Sequence, residues 1–194
     1  MDLFTQSGNV LVYDDFSDPS SGWRISTGEH GSMGYSNGFY RILVQSSGYD
    51  LWSVSGHLYR DVQVEVDATH LAGPVNNRYG PICRIQGGNS FYAFFISSDC
   101  YYALARVNNG VASLLGQEKM AYTSFIHQSD TGNRLRLDCI KSSLKGWING
   151  QLVAVASDTE FTRGDVGFIA GAFDEGQRRI DLARLQSQIH RVAR

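Results

Sequence analysis

The sequence predicts an all-β protein, a two-sheet antiparallel β-sandwich, as a single domain over residues 1–194. Three observations carry this. From Asp61 to Ala68, apolar and polar residues alternate without a fault. Val62, Val64, Val66 and Ala68 then face a core, while Asp61, Gln63, Glu65 and Asp67 face solvent. Asn149-Gly150 joins two apolar runs, Leu144–Ile148 and Leu152–Ala156. Asn-Gly is a strong hairpin signal because a type I′ turn needs positive φ at both central residues. Clusters at Asn76-Asn77, Gly87-Gly88-Asn89, Asn108-Asn109-Gly110 and Thr131-Gly132-Asn133 punctuate further runs of strand length. Many short strands between such turns describe a sandwich or barrel.

The remaining strands are expected at Phe39–Gln45, Pro81–Gln86, Phe91–Ser97, Tyr101–Val107, Arg134–Cys139, Val166–Ala172 and Ile180–Gln186. Thr5–Val12 is ambiguous. In Leu185–Val192 the apolar residues sit at helical spacing, so a bulged strand followed by a tail or a turn of helix is expected there. With 21 Gly, 10 Tyr, 10 Phe and 3 Pro the composition is that of strands and turns.

The formal net charge of -2 and the lack of a basic stripe argue against nucleic acid as a partner. No apolar run is long enough for a membrane helix, so direct membrane insertion is not expected. Residues 1–10 lack the charged and apolar regions of a signal peptide. Either the protein is cytoplasmic or the chain is a mature extracellular or cell-surface domain; the second is expected.

The order of landmarks resembles a known group. Asp15-Phe16-Ser17-Asp18 followed by Gly22-Trp23, then Asn37-Gly38-Phe39-Tyr40, is similar to the opening of bacterial laminin G-like jelly rolls. Tyr79-Gly80-Pro81-Ile82-Cys83-Arg84, Asn89-Ser90-Phe91-Tyr92-Ala93-Phe94, Asn133 to Cys139, Trp147 to Gly150 and Asp158 to Gly167 continue the likeness. It covers about residues 14–185. The resemblance implies the concanavalin A-like lectin and glucanase superfamily, with the 3-keto-disaccharide hydrolase domain as a relative. Members of this group are mostly secreted or surface-exposed, and many lack an assigned activity, so the likeness bears on architecture more than on function. Two departures stand out: Asp99-Cys100 where the group has Asp-Gly, and Asp181 to Leu185 where it has a Phe-Asp-Asn-like motif.

Glycosidases of this fold carry E-x-D-x-x-E on one strand, which supplies nucleophile and acid/base. Here Glu65 and Asp67 are present, but His70 stands in the third position. No catalytic residue is therefore assigned, and an enzyme is not expected. Asp14, Asp15 and Asp18 are candidate calcium ligands, with turn capping as the alternative; calcium is the one cofactor considered. Cys83 and Cys139 lie on core-facing positions, and Cys83 is read as sharing its face with Ile85. The two thiols form either a disulfide or a pair of buried thiols, with Cys100 left over. Tyr79, Arg84, Asn89, Tyr92 and Trp147 are the candidate ligand-binding set, on strands expected to be neighbours; Tyr49 and Trp52 form a second candidate. Phe16 and Trp23 are read as core anchors. The expected role is a non-catalytic module binding carbohydrate or another surface polymer. The alternatives are a structural or protein-interaction subunit that pairs with other protein subunits, and a sugar-acting hydrolase.

Overall fold

The computed structural model describes residues 10–128, 131–173 and 180–191. Its strands are β1 (Val10–Asp14), β2 (Ser26–Gly28), β3 (Gly31–Ser36), β4 (Phe39–Val44), β5 (Asp50–Val54), β6 (Val62–Ala72), β7 (Asn77–Gln86) and β8 (Ser90–Ile96). They continue with β9 (Tyr101–Asn108), β10 (Val111–Leu114), β11 (Ala121–Tyr122), β12 (Asn133–Ile140), β13 (Ser143–Ile148), β14 (Gln151–Ser157), β15 (Asp165–Ala172) and β16 (Ile180–Arg191). Among the described residues they form two antiparallel sheets. The larger runs β14-β13-β12-β6-β16-β4-β3-β2, and the smaller runs β10-β9-β8-β7-β15-β5. One edge of β16 is shared: β4 pairs with its first half and β1 with its second.

Alternation on β6 places Val62, Val64, Val66 and Ala68 in the inter-sheet core and leaves Gln63, Glu65 and Asp67 on the outer face. β12 and β13 contribute Leu135, Leu137, Leu144 and Ile148 to the same core. A Cβ at Gly146 would lie 2.3 Å from the Phe94 ring, so the glycine makes the hollow that this ring fills from the opposite sheet. Phe16 and Trp23 pack edge-on at 5.6 Å and anchor the first strand's exit.

β8 has no face in water, because all seven of its residues are buried. Tyr92, Phe94 and Ile96 enter the inter-sheet core. Phe91, Ala93 and Phe95 join Ile82, Ala103, Ala105 and Ile169 in a second apolar cluster on the other face of the smaller sheet, against Trp52 and Met120.

Two local expectations are corrected. Leu185 to Arg191 continues as strand, because β6 on one side and β1 on the other supply ladder partners as far as His190 and Arg191. Cys83 and Ile85 lie on opposite faces. A bulge between Cys83 and Gln86, with Arg84 at φ 56°, inserts a residue and reverses the parity. Cys100 is buried and has a left-handed backbone, with φ 74°, a conformation that glycine adopts more readily.

Cys83 and Cys139 are joined by a disulfide that ties β7 of one sheet to β12 of the other. The pair closes a separation of 56 residues, which corresponds to about 4 kcal/mol of loop-closure stabilisation. Replacing both cysteines by serine should lower the unfolding free energy by roughly that amount. Urea denaturation of the two proteins under non-reducing conditions checks this.

Candidate functional site

The five residues expected to bind a ligand do not come together. Tyr79, Arg84 and Tyr92 are fully buried on the smaller sheet, and Trp147 lies on the outer face of the larger one. Only Asn89, in the turn between β7 and β8, is exposed on that sheet. A ligand role for Tyr79, Arg84 and Tyr92 is therefore corrected: each serves the interior. Tyr79 is held in the core, where burial pushes its hydroxyl above the ordinary range.

Arg84 shows what replaces that role. Its Nε–H donates to the Arg60 carbonyl at 3.2 Å, Nη1 to that of Phe161 at 2.8 Å and Nη2 to that of Cys139 at 3.2 Å. Asp61 is its nearest carboxylate at 3.6 Å. A buried guanidinium needs this many acceptors. Tyr92 acts beside it. Its hydroxyl donates to Asp158 at 2.5 Å and accepts the Phe161 N–H at 3.0 Å. Burial, reinforced by Asp158, pushes Tyr92 up to about 12. Burial works to raise Asp158 as well, but hydrogen bonds from Tyr92 and the Glu160 N–H, with the Arg106 charge, leave its carboxyl below the usual range.

Trp147 donates its ring N–H to Asp138 at 3.2 Å, and the Arg136 guanidinium lies 5.1 Å from its ring. Asp138 in turn takes both Nε and Nη2 of Arg136. The ring is thus held within its own polar group on the sheet surface.

The candidate calcium ligands Asp14, Asp15 and Asp18 each make local hydrogen bonds. Asp14 accepts the Phe16 N–H and the Trp23 ring N–H, Asp15 the Ser17 N–H, and Asp18 the Ser20 N–H and hydroxyl. Each closes its own turn. Among the described residues no group of three His, Cys, Asp or Glu converges as a metal site. Of the second candidate pair, Tyr49 stacks on His30 and Trp52 packs against Phe91.

A cleft of about 640 Å³ opens instead where the far half of β6 meets the start of β12. Asp67, Thr69, Asn133 and Arg134 form its base, and Phe39 and His127 stand on its walls. Two Asn-Gly turns border it: Asn37-Gly38, with φ 51° and 79°, and Asn149-Gly150, with φ 49° and 83°. Asn149 does more than turn the chain. Its Oδ1 accepts the Arg134 N–H, and its Nδ2 donates to the Phe125 carbonyl and to Asn133 Oδ1. Asn133, itself buried, also bonds both backbone groups of His127. His127 Nδ1 lies 3.2 Å from the Gly132 carbonyl. Because a carbonyl can only accept, Nδ1 carries the proton there and neutral His127 offers Nε2 as an acceptor.

Across the strands, Arg134 clamps Asp67 bidentately, Nε to Oδ1 at 2.8 Å and Nη2 to Oδ2 at 2.7 Å, with Glu65 at 3.8 Å. This pairing, more than any other influence, raises the Arg134 guanidinium further above its ordinary value. Both partners remain about half exposed, at 52% and 42%. They present their remaining donors and lone pairs to whatever enters the cleft. Asp67 was legible as half of a glycosidase pattern, and Asn149 as a turn. The Asp67–Arg134 pairing is a cross-strand register fact, and the role of Asn133 lies in its amide; alternation reports neither.

No family model matches the chain, and no curated protein sequence is significantly similar to it. Solved structures are similar in fold. The carbohydrate binding module CBM66 from Bacillus subtilis matches with TM-score 0.68 and 16% identity, over 87% of this chain and 96% of its own. The fold is that of the concanavalin A-like jelly rolls. A Bacillus subtilis protein of unknown function with a galectin-like fold matches at TM-score 0.71 and 13% identity, over 97% and 99%. A Bacillus licheniformis β-glucanase matches at 0.67 and 15%, over 97% and 100%. Binding modules and glycosidases thus share this architecture, and at these identities only the fold is carried across.

Replacing Tyr92 by Phe leaves the Phe161 N–H without its acceptor and removes one of the two hydrogen bonds that Asp158 Oδ1 accepts, the other coming from the Glu160 N–H. The expected cost is about 1–3 kcal/mol at neutral pH. A tyrosine whose folded pKa is raised contributes stability that is complete below its unfolded value near 10. That stability is lost as pH rises through about 12. The substitution should therefore also flatten the alkaline fall in stability between those limits, leaving the share due to Tyr40, which burial likewise raises to about 12. Denaturant titrations from pH 7 to 12 measure both effects.

Proposed function

We propose that this chain is a carbohydrate-binding module whose ligand occupies the cleft between the two Asn-Gly turns. The observation that carries this reading is the half-exposed, bidentate Asp67–Arg134 pair at the cleft base. Adjacent hydroxyls on a sugar ring can donate to one such group and accept from the other at fixed spacing, which is how planar charged forks recognise polar ligands. His127, Thr69 and Asn37 add acceptors and donors around it, and Phe39 adds an apolar wall. The fold shared with a carbohydrate-binding module supports the assignment. The Cys83–Cys139 disulfide supports an oxidising, extracellular setting.

A glycosidase reading draws on Glu65 and Asp67, which share the outer face of β6, and on the β-glucanase likeness. Retaining hydrolysis requires one carboxylic acid that can give up a proton beside one carboxylate. Both carboxylates here face the same guanidinium, and Asp67 is clamped by it. This arrangement favours binding over proton transfer.

The pair is exposed, so it contributes little to folding, of the order of 0–1 kcal/mol. Asp67→Ala and Arg134→Ala should therefore fold normally. Each should weaken a polysaccharide ligand identified on a glycan array by at least about tenfold, or 1.4 kcal/mol, in calorimetry. Absence of binding to every glycan tested would overturn the proposal, and release of reducing sugar by the wild-type chain would favour the glycosidase.

A further inference from the structure

A second polar recess lies at the opposite end of β6 and β12, about 270 Å³ in volume, between Arg60, Asp61, Arg84 and Lys141. Ser142, Thr159 and Thr162 complete its wall. We propose that this recess binds a tetrahedral oxyanion, a sulfate or phosphate group. The site is separate from the cleft and does not depend on the cleft's ligand.

Three features argue for it. The first is charge. Three cationic side chains meet one carboxylate, in a chain whose net charge is -2. Asp61 is already committed: its Oδ1 accepts the Lys141 backbone N–H at 2.6 Å and lies 3.6 Å from Arg84 Nη2. Arg60 and Lys141 are exposed and have no carboxylate within 4.0 Å among the described residues, so two positive charges face the recess uncompensated. The second is donor geometry. Ser142, Thr159 and Thr162, each with a hydroxyl able to donate, line the same volume, on two loops that differ from the one bearing Arg60. Donors that converge from several directions suit four tetrahedral oxygens better than a planar carboxylate, which is satisfied by one fork. The third is rigidity. Arg84, 1% exposed, bonds the carbonyls of Arg60, Phe161 and Cys139 and so fixes the loops that carry the recess. Little ordering remains to oppose binding.

The test uses the intact chain, labelled with 15N, titrated with sodium sulfate and sodium phosphate against sodium chloride at matched ionic strength. Both oxyanions should shift the amides of Lys141, Ser142, Thr159 and Thr162 saturably, and chloride should not. In Arg60→Ala/Lys141→Ala, two surface changes, the midpoint should rise at least tenfold while the amides of His127 and Asn149 stay unmoved. Lys141→Glu alone should weaken binding further than Lys141→Ala. Shifts that never saturate, that chloride reproduces, or that survive the double substitution would overturn the proposal. A sulfated polysaccharide and a phosphodiester polymer then identify the source. Binding of either at least tenfold tighter than the free ion assigns the recess to that polymer, and equal binding assigns it to the free oxyanion.

Discussion

A guanidinium withdrawn from water must have its donors met by acceptors held in place, because a buried charge left short of partners costs several kcal/mol. Arg84 is such a group, and much of the molecule at one end of the sandwich is arranged around it. Its left-handed backbone makes the bulge in β7. That bulge sends Ile85 to the other face, while Cys83, inward by ordinary alternation with Tyr79, is bonded to Cys139 just before it. The Cys139 carbonyl returns to Arg84 as an acceptor. The carbonyls of Arg60 and Phe161 bring in the entry to β6 and the crossover from β14 to β15, which Tyr92 and Asp158 grip from the other side. Covalent bond, charge and bulge are one unit here.

The other end is built differently. Its hydrogen bonds run between neutral amides and backbone, through Asn133 and Asn149. The charged pair, Asp67 and Arg134, stands at the surface. Neutral amides can brace two turns against each other without the desolvation cost of a buried ion. The polar groups over the cleft therefore remain free to face a ligand. One end holds the sheets together, and the other carries the polar cleft.

Much of the architecture was legible because alternation on β6 and β12 reports which residues face the core, and Asn149-Gly150 reports a turn. The departures have identifiable physical causes. A bulge is a change of parity within a strand, and no composition signal marks it at Arg84; the residue expected to meet a ligand is the most buried charged side chain among the described residues. Continuous apolar runs such as Phe91 to Ile96 were legible as strand but not as doubly covered strand. Tyr92 and Tyr79 illustrate the difficulty with aromatic candidates: a tyrosine on a strand carries the same letter whether its hydroxyl meets solvent or Asp158. The cleft escaped notice because its members come from β6, β12 and two turns far apart in the chain, and register alone makes them neighbours.

β8 has no wet face. Along that strand neither parity of position can accept a charge, so replacement there is restricted in a way that the larger sheet, with its ionic outer surface, escapes. Over evolutionary time this divides the molecule into a conservative half and a permissive half. The central strands of the smaller sheet, β7, β8 and β15, are buried along most of their length and have little latitude to drift. The outer surface of the larger sheet and its bordering turns can change their side chains freely. New specificities would therefore be expected to arise on that surface, with the same frame passed unaltered beneath them.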